Sequence, residues 1–314
     1  MSEELLENLS DPYAIPEGHK SGFVAVIGRP NVGKSTLMNR LVGEKVAIVS
    51  PKPQTTRSRI LGILTHETFQ VIFVDTPGIH KPFHTLGKIM VSTATSVIPE
   101  SDVVLFLVDV SVRPTKEDRM IATILSKQHG APIILVLNKM DLLPPDRVQP
   151  HSEAYWDLAS FHDEWIMTIA TDGTNVGDLL ERIIELLPEG PRYYPREYVT
   201  DQTERQIVAE LIREQVLRHT YHEVPHSVAV VVEEFKERED GVTYIAANVF
   251  VERKSQKGIV IGRGGSMIRT IGSDARAAVE RMIGGKVFLD LWVKVRERWR
   301  EDERELRRLG FERS

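Results

Sequence analysis

Short, continuously apolar runs punctuate the first two thirds of the chain. FVAVIG (23–28), FQVIFVD (69–75), DVVLFLVDV (102–110), APIILVLN (131–138) and EWIMTIA (164–170) each read as a strand, with helical stretches between most of them. Strands apolar on both faces are those of a sheet covered on both sides by helices. The alternation predicts a doubly wound α/β sheet with its ligand loops at the carboxyl ends of the strands. SRILGILTH (58–66), joined to FQVIFVD by a polar turn around Glu67 and Thr68, predicts one antiparallel hairpin within it, so the sheet is mixed but mostly parallel. Val176, Leu179, Leu180, Ile183, Ile184 and Leu187 then fall on one helical face, and Pro188 ends it.

PEGPRYYP (188–195) is a linker by its prolines and glycine, and beyond it the texture changes. VTDQTERQIVAELIREQVLRH reads as an amphipathic helix, and SVAVVVEEFKER and TYIAANVFVER as paired strands. RGGSMIRTIGSDARAAVERMIGG reads as a helix and KVFLDLWVKVRERW as a third strand, and a charged helix closes the chain. The predicted organisation is an acidic arm over 1–20, an α/β domain over 21–188, a linker over 189–200 and a smaller α+β domain over 201–314.

Composition narrows this little. The 314 residues fit two domains, and 41% hydrophobic with 27% charged residues is a globular balance. The absence of cysteine removes disulfides, Cys-based zinc sites and thiol catalysis, and fits a reducing compartment. The acidic start lacks the basic-then-apolar layout of a signal peptide, and no run approaches ~18 apolar residues, so a membrane span is not expected. A net charge of -5 points away from nucleic acid globally, which leaves local basic patches to carry any such role. No long apolar stripe is left over for a partner copy, which points to a monomer.

Three motifs carry chemistry. GRPNVGKS (28–35) follows a strand and opens a helix, the context that a phosphate loop requires. Backbone N–H groups at a helix N-terminus wrap phosphates there, which assigns Gly28, Asn31, Val32, Gly33, Lys34, Ser35 and Thr36 to the nucleotide. Lys34 would reach the β- and γ-phosphates and Ser35 would hold Mg²⁺. DTPG (Asp75, Thr76, Pro77, Gly78) is an ordinary turn by itself. After a phosphate loop, Asp75 is placed for the Mg²⁺ shell and the Gly78 N–H for the γ-phosphate. NKMD (138–141) ends a strand: the Asp141 carboxylate accepts both N1–H and N2–H₂ of guanine, whereas adenine offers an acceptor at N1. A mismatch of that kind discriminates by ~10⁴-fold or more, so the base is guanine. Asn138 would bond the base edge, the Lys139 stem would cover the ring, and the backbone N–H near Ala170 would meet guanine O6.

GRPNVGKS, PQTTR, DTPGIH and NKMD, in that order, resemble the motif series of the translation-factor-like GTPases. With GIVIGRGGS (258–266) behind them, nearly the whole chain past residue 20 resembles the Era-like family of small-subunit assembly GTPases. The fold so implied is a P-loop GTPase domain followed by a type II KH domain. The resemblance implies GTP/GDP and Mg²⁺ as ligands, and QTTR (54–57) as a switch loop whose Thr56, with Thr55 the alternative, closes on Mg²⁺. One departure is Ile169-Ala170 where the family has Ser-Ala, which keeps a backbone contact and loses a hydroxyl. Ile79 stands where Ras-type enzymes carry a water-positioning Gln. Either Ile79 only packs and turnover is negligible, or Lys34, Gly78, Thr56, the loop N–H groups and Mg²⁺ act by positioning and electrostatics alone. Asn31 resembles the asparagine that helps hold K⁺ against the phosphates in similar GTPases. His80 reads as structural.

Within the second loop, Gly262, Arg263, Gly264 and Gly265 resemble the GxxG turn between two helices of a KH domain, where RNA backbone approaches protein backbone closely. From Val251 to Arg276 six Lys or Arg face two acids in an acidic chain. Arg253, Lys254, Lys257, Arg263, Arg269 and Arg276 are the candidates for phosphate contact, and Ile259, Ile261 and Ile268 offer apolar surface to bases. The resemblance implies the 3′ end of 16S ribosomal RNA and the 30S subunit as partners, subunit maturation as the role, and a cytoplasmic location. The GTP state is expected to reach the RNA domain across the linker. Two rivals stand beside this: an RNA-binding protein with negligible turnover, and a GTPase peripheral to the inner membrane whose second domain binds protein or lipid. The closing charged helix reads as a solvated face.

Overall fold

A computed structural model describes residues 15–128 and 130–311; most of the acidic arm lies outside them. In the first domain the elements run β1 (Lys20–Ile27), α1 (Lys34–Val42), β2 (Ile60–Thr65), β3 (Phe69–Asp75), α2 (Thr85–Ser96), β4 (Val103–Asp109), α3 (Lys116–Leu125), β5 (Ile133–Asn138), α4 (Val148–Leu158), β6 (Glu164–Thr168) and α5 (Val176–Leu186). Six strands form one sheet in the order β2-β3-β1-β4-β5-β6, parallel except for the β2–β3 hairpin. Strand residues alternate between two cores. Val24 and Val26 pack under α1 and α5 with Leu37, Met38, Leu179 and Ile183, while Ala25 and Ile27 pack on the other face with Ile121, Leu125 and Tyr155. Helix α3 starts at a capping box in which Thr115 and Asp118 satisfy each other's backbone N–H. The parallel register aligns the ends of β4, β5 and β6, pairing Asp109 with Asn138 and Asn138 with Thr168 at the carboxyl edge.

The second domain runs α6 (Glu204–His219), α7 (Val224–Ser227), β7 (Ala229–Glu237), β8 (Thr243–Val251), α8 (Lys254–Ile261), α9 (Ser266–Ile283), β9 (Val287–Val295) and α10 (Glu303–Arg308). Its sheet has the order β7-β8-β9, with β7 antiparallel and β9 parallel to β8. The glycine turn lies between two helices, as the KH resemblance implies: GIVI continues a helical turn begun at Lys254 before Gly262 breaks it. Among the described residues no helix is long and apolar enough to cross a membrane.

The segment between the domains is an ordered strap. The buried Gln70 side chain accepts from the N–H groups of Tyr193 and Tyr194 at 2.7 and 3.0 Å and donates to the Tyr194 carbonyl at 2.8 Å. The Ile63 N–H donates to the Val199 carbonyl, which lays the strap along edge strand β2. The expectation for the C-terminal end needs correction. Trp299 is fully buried and, with Leu306 of the short α10, packs on Leu86, Ile89 and Met90 of α2. The charged residues around these two apolar positions masked a docking face. The domains therefore also meet outside the strap, where α2 packs on the C-terminal segment and residues 45–55 bond α6.

Candidate functional site

Residues 28–36 leave β1 and enter α1 through Gly33, whose φ of 107° and position suit glycine only: a Cβ there would meet Asn138 Nδ2 at 2.4 Å. The chain thereby passes under β5, and Lys34, buried at the helix start, turns back over its own loop. Its Nζ donates to the carbonyls of Gly28 and Arg29 at 3.3 and 3.2 Å. Burial pushes the Lys34 ammonium down to about 8, against the pull of Asp75 and with a further push from Arg29. An ammonium satisfied only by carbonyls is ready for an anion. A cleft of about 450 Å³ opens here, between residues 30–36, 48–56, Gly78, 138–142 and 169–171.

Three oxygens meet beside Lys34. Ser35 Oγ donates to Asp75 Oδ2 at 2.6 Å, Thr56 Oγ1 donates to the same oxygen at 3.1 Å, and the two hydroxyls lie 2.9 Å apart. Thr55 points elsewhere, its hydroxyl spent on the Lys52 carbonyl. Asp75 Oδ1 is buried with no hydrogen-bond partner, and burial raises the carboxyl above its usual range although Lys34, Ser35 and Thr56 pull it down. An orphaned carboxylate oxygen beside two hydroxyls fits a hard cation such as Mg²⁺, which takes few protein oxygens and fills its shell with water and phosphate.

At the far end of the cleft the structure redistributes two roles. Asn138 is 2% exposed and its amide is used internally: Nδ2 donates to the Val32 carbonyl at 2.8 Å, and Oδ1 accepts from the Ala170 N–H at 3.0 Å and from Thr168. It ties the phosphate loop to the base end, and it occupies the Ala170 N–H expected to face the base. Asp141 is exposed and lines the cleft. Lys139, with φ of 66°, stretches along the cleft to the Asn31 carbonyl and to Asp109 Oδ2, each 2.7 Å away. Asn31 itself donates from Nδ2 to the Pro51 carbonyl at 2.9 Å, which leaves its oxygen as the atom able to meet a cation.

Ile79 is fully buried in the core and brings no polar atom to the cleft. His80 Nδ1 donates to the Gly78 carbonyl at 2.8 Å, so Nε2 is the acceptor for Gln54 at 2.9 Å. It stitches the 54–57 loop to the Thr76–Gly78 turn, and Thr76 in turn donates to the Val26 carbonyl.

The loop from Val49 to Arg57 is held from its other side by the second domain. Arg57 donates to the carbonyls of Val228, Pro225 and His226 at 2.5, 3.1 and 3.1 Å. Arg213 of α6 donates to the Thr55 carbonyl, and the buried Glu214 takes the Val49 N–H at 3.2 Å and Lys45 Nζ at 2.6 Å. An amphipathic pattern does not say what covers the polar face of α6, so these partners are not legible in the sequence. Arg213, Glu214 and Gln215 are all buried.

The glycine turn sits between α8 and α9. Gly262 has φ 74° and ψ 172°, a region open only to glycine, and a Cβ there would meet Met267 N at 2.7 Å. Arg263 and Gly264 are exposed, and Gly265 is half-exposed. Arg269 donates to the Gly264 carbonyl at 3.0 Å, whereas Arg253, Lys254 and Lys257 belong to the opening turn of α8, at the end away from Gly262. A groove runs from the turn between α9 and edge strand β9, lined by Ile268, Arg269, Gly272, Arg276, Leu289 and Leu291. The β9 wall was not foreseen. Ile259 is half-exposed, while Ile261 and Ile268 rest on the domain core.

Comparison with known proteins bears on both sites. Residues 23–139 match the family described as 50S ribosome-binding GTPase, and residues 223–300 match the KH domain family. The chain is 51% identical over 314 residues to GTPase Era of Crocosphaera subtropica, covering 99% of each. It is 48% identical over 293 residues to GTPase Era of Heliobacterium modesticaldum, covering 93% of this chain and 97% of the other. Among solved structures, Era in complex with MgGDPNP and nucleotides 1506–1542 of 16S ribosomal RNA superposes with a TM-score of 0.90 at 37% identity, covering 93% of this chain and 99% of that one. An Aquifex aeolicus Era variant bound to GDP and tetrafluoroaluminate superposes with a TM-score of 0.89 at 38% identity and the same coverage.

Proposed function

Because the chain belongs to the Era family of GTPases, we propose that it is a GTP-hydrolysing switch that binds single-stranded RNA at the 3′ end of 16S ribosomal RNA and acts in assembly of the 30S subunit. One observation carries the switch: the Thr55–Arg57 run brings Thr56 Oγ1 to Ser35 and Asp75 on one side and is gripped by the KH domain on the other. Residues 21–188 would hydrolyse, 189–200 would strap, and 201–314 would read RNA. The activity belongs in the cytoplasm, with any membrane contact peripheral.

In this reading Lys34 exchanges its two carbonyl partners for β- and γ-phosphate oxygens, and the N–H groups of the 28–36 loop and of Gly78 close around them. Asp141 takes the two donors of the guanine edge, Lys139 covers the ring, and Asn138 acts as the brace that keeps both ends of the cleft in register. Mg²⁺, which Ser35, Thr56 and Asp75 would hold, neutralises charge on the phosphates when bound. Ile79 leaves water orientation to backbone groups and to whatever enters from outside the chain, so the basal rate is low. The Asn31 oxygen is the candidate ligand for K⁺ at the same phosphates.

The test is steady-state GTP hydrolysis in K⁺ buffer, with and without single-stranded RNA of the 16S 3′-end sequence. Several-fold stimulation is expected, lost in Gly264→Asp; Gly264 has open space for a side chain, and Asp is among the residues that visit its left-handed φ of 58° at least cost, so RNA contact suffers before the fold does. Absence of RNA binding retires the KH reading, and equal rates in K⁺ and Na⁺ remove the cation role of Asn31.

A further inference from the structure

A second cleft, of about 380 Å³, lies between the domains on the flank of the 54–57 loop. It is walled by residues 57–60, α6, the start of β7 and residues 308–311. Five guanidiniums line it, those of Arg57, Arg59, Arg205, Arg213 and Arg308, against the carboxylates of Asp201 and Glu210. Glu210 is spent on Arg213 at 2.5 Å, and Arg308 pairs with Glu305 at 2.9 Å. Among the described residues Arg57, Arg59 and Arg205 take part in no ion pair.

The deficit of negative charge is internal as well as superficial. Arg57 is 4% exposed and gives its Nη groups only to neutral carbonyls, and its Nε, like Nη1 of the buried Arg213, has no acceptor. Burial brings Arg57 down to about 9, and the neighbouring Arg213 pushes the same way. Glu210 and Glu252 lie close enough to act on Arg57, but each is bonded to another arginine, and a buried cation with no carboxylate of its own is costly. Guanidinium forks match the oxygens of phosphate.

We propose that this cleft binds a small free anion carrying two phosphate groups, one gripped from each domain. The exposed Arg59 and Arg205 make the direct contacts, on the GTPase and KH sides respectively, while Arg57 and Arg213 supply the field behind them. An anion that needs both walls binds the docked arrangement better than separated domains, so it favours the state in which Thr56 faces Ser35 and Asp75. The site is distinct from the nucleotide cleft, with which it shares no lining residue.

Equilibrium dialysis with labelled pyrophosphate tests it, using the full chain saturated with the Mg²⁺ complex of a non-hydrolysable GTP analogue and with no Mg²⁺ beyond that complex, so that the pyrophosphate stays free of metal. One equivalent of pyrophosphate is expected to bind at submillimolar concentration. Arg59→Ala and Arg205→Ala, both at exposed positions, are each expected to weaken it about tenfold, with partial recovery in Arg59→Lys. Inorganic phosphate should bind far more weakly, and Gly264→Asp should leave pyrophosphate binding intact, which separates this inference from the RNA reading. No binding, equal affinity in the arginine variants, or displacement by RNA would overturn it.

Discussion

Lys34 sets a pH limit on the nucleotide site. A buried ammonium held near 8 is still largely charged at neutral pH, and it begins to lose its proton just above. Phosphate oxygens favour the charged form, so binding at higher pH requires uptake of one proton. Affinity for a GTP analogue should therefore be nearly flat up to about pH 8 and then fall by about tenfold per pH unit, the slope of a single linked proton. Titration calorimetry across that range checks it; a flat profile would mean that Lys34 stays charged without ligand. For folding the sign is opposite: between about 8 and the ordinary lysine value the unfolded chain binds the proton more readily, so stability of the nucleotide-free protein gains with pH there. At this scale the sequence is informative about which residues gather and silent about how their valences are filled. Ser35, Thr56 and Asp75 converge as the motifs imply. Asn138 and Ala170 instead satisfy each other, because a buried amide must pair inside the protein before it can serve a ligand.

At the scale of elements, the C-terminal segment argues against reading charge as solvation. Trp299 is fully buried, donates from Nε1 to the Ser227 carbonyl at 2.9 Å and stacks on Phe311 at 5.9 Å. Truncating such a side chain costs about 3–5 kcal/mol. Trp299→Ala should lose that much in urea unfolding followed through the second domain, and Trp299→Phe markedly less; a loss below about 1 kcal/mol would show that the segment is not part of the core. The strands of the first domain were legible because continuous apolar runs are what a doubly covered sheet needs. Helix α2 was not, because Thr, Ser and Gly dilute its apolar spacing, and α8 is implied only by the KH resemblance, since eight residues are too few to show a period. The polar face of α6 is legible as a face, but nothing local to Arg213 and Glu214 records that another domain lies over them.

For the whole molecule, the question is how two sites in different domains come to share one free energy. The route here is short: Glu214 holds the Val49 N–H and Lys45 Nζ, Arg213 holds the Thr55 carbonyl, and Arg57 holds α7 and the start of β7. In the proposed switch, a ligand that orders Thr56 favours these contacts, and an RNA that favours the docked domain orders Thr56 in return. Reciprocity requires one factor: the ratio by which a GTP analogue raises RNA affinity equals that by which RNA raises affinity for the analogue. A factor on the order of 10 is typical for coupling of this kind. Glu214 lies in the KH domain and touches no nucleotide-cleft side chain assigned to chemistry, so Glu214→Ala should leave each ligand's separate affinity near its starting value. It removes the acceptor of the Val49 N–H and leaves Lys45 unpaired, and the coupling factor should fall toward one. Measuring four dissociation constants, each ligand with and without the other, gives the factor twice over for each protein. An unchanged factor in Glu214→Ala would move the coupling away from α6, to the strap around Gln70 or to the packing of Trp299 on α2.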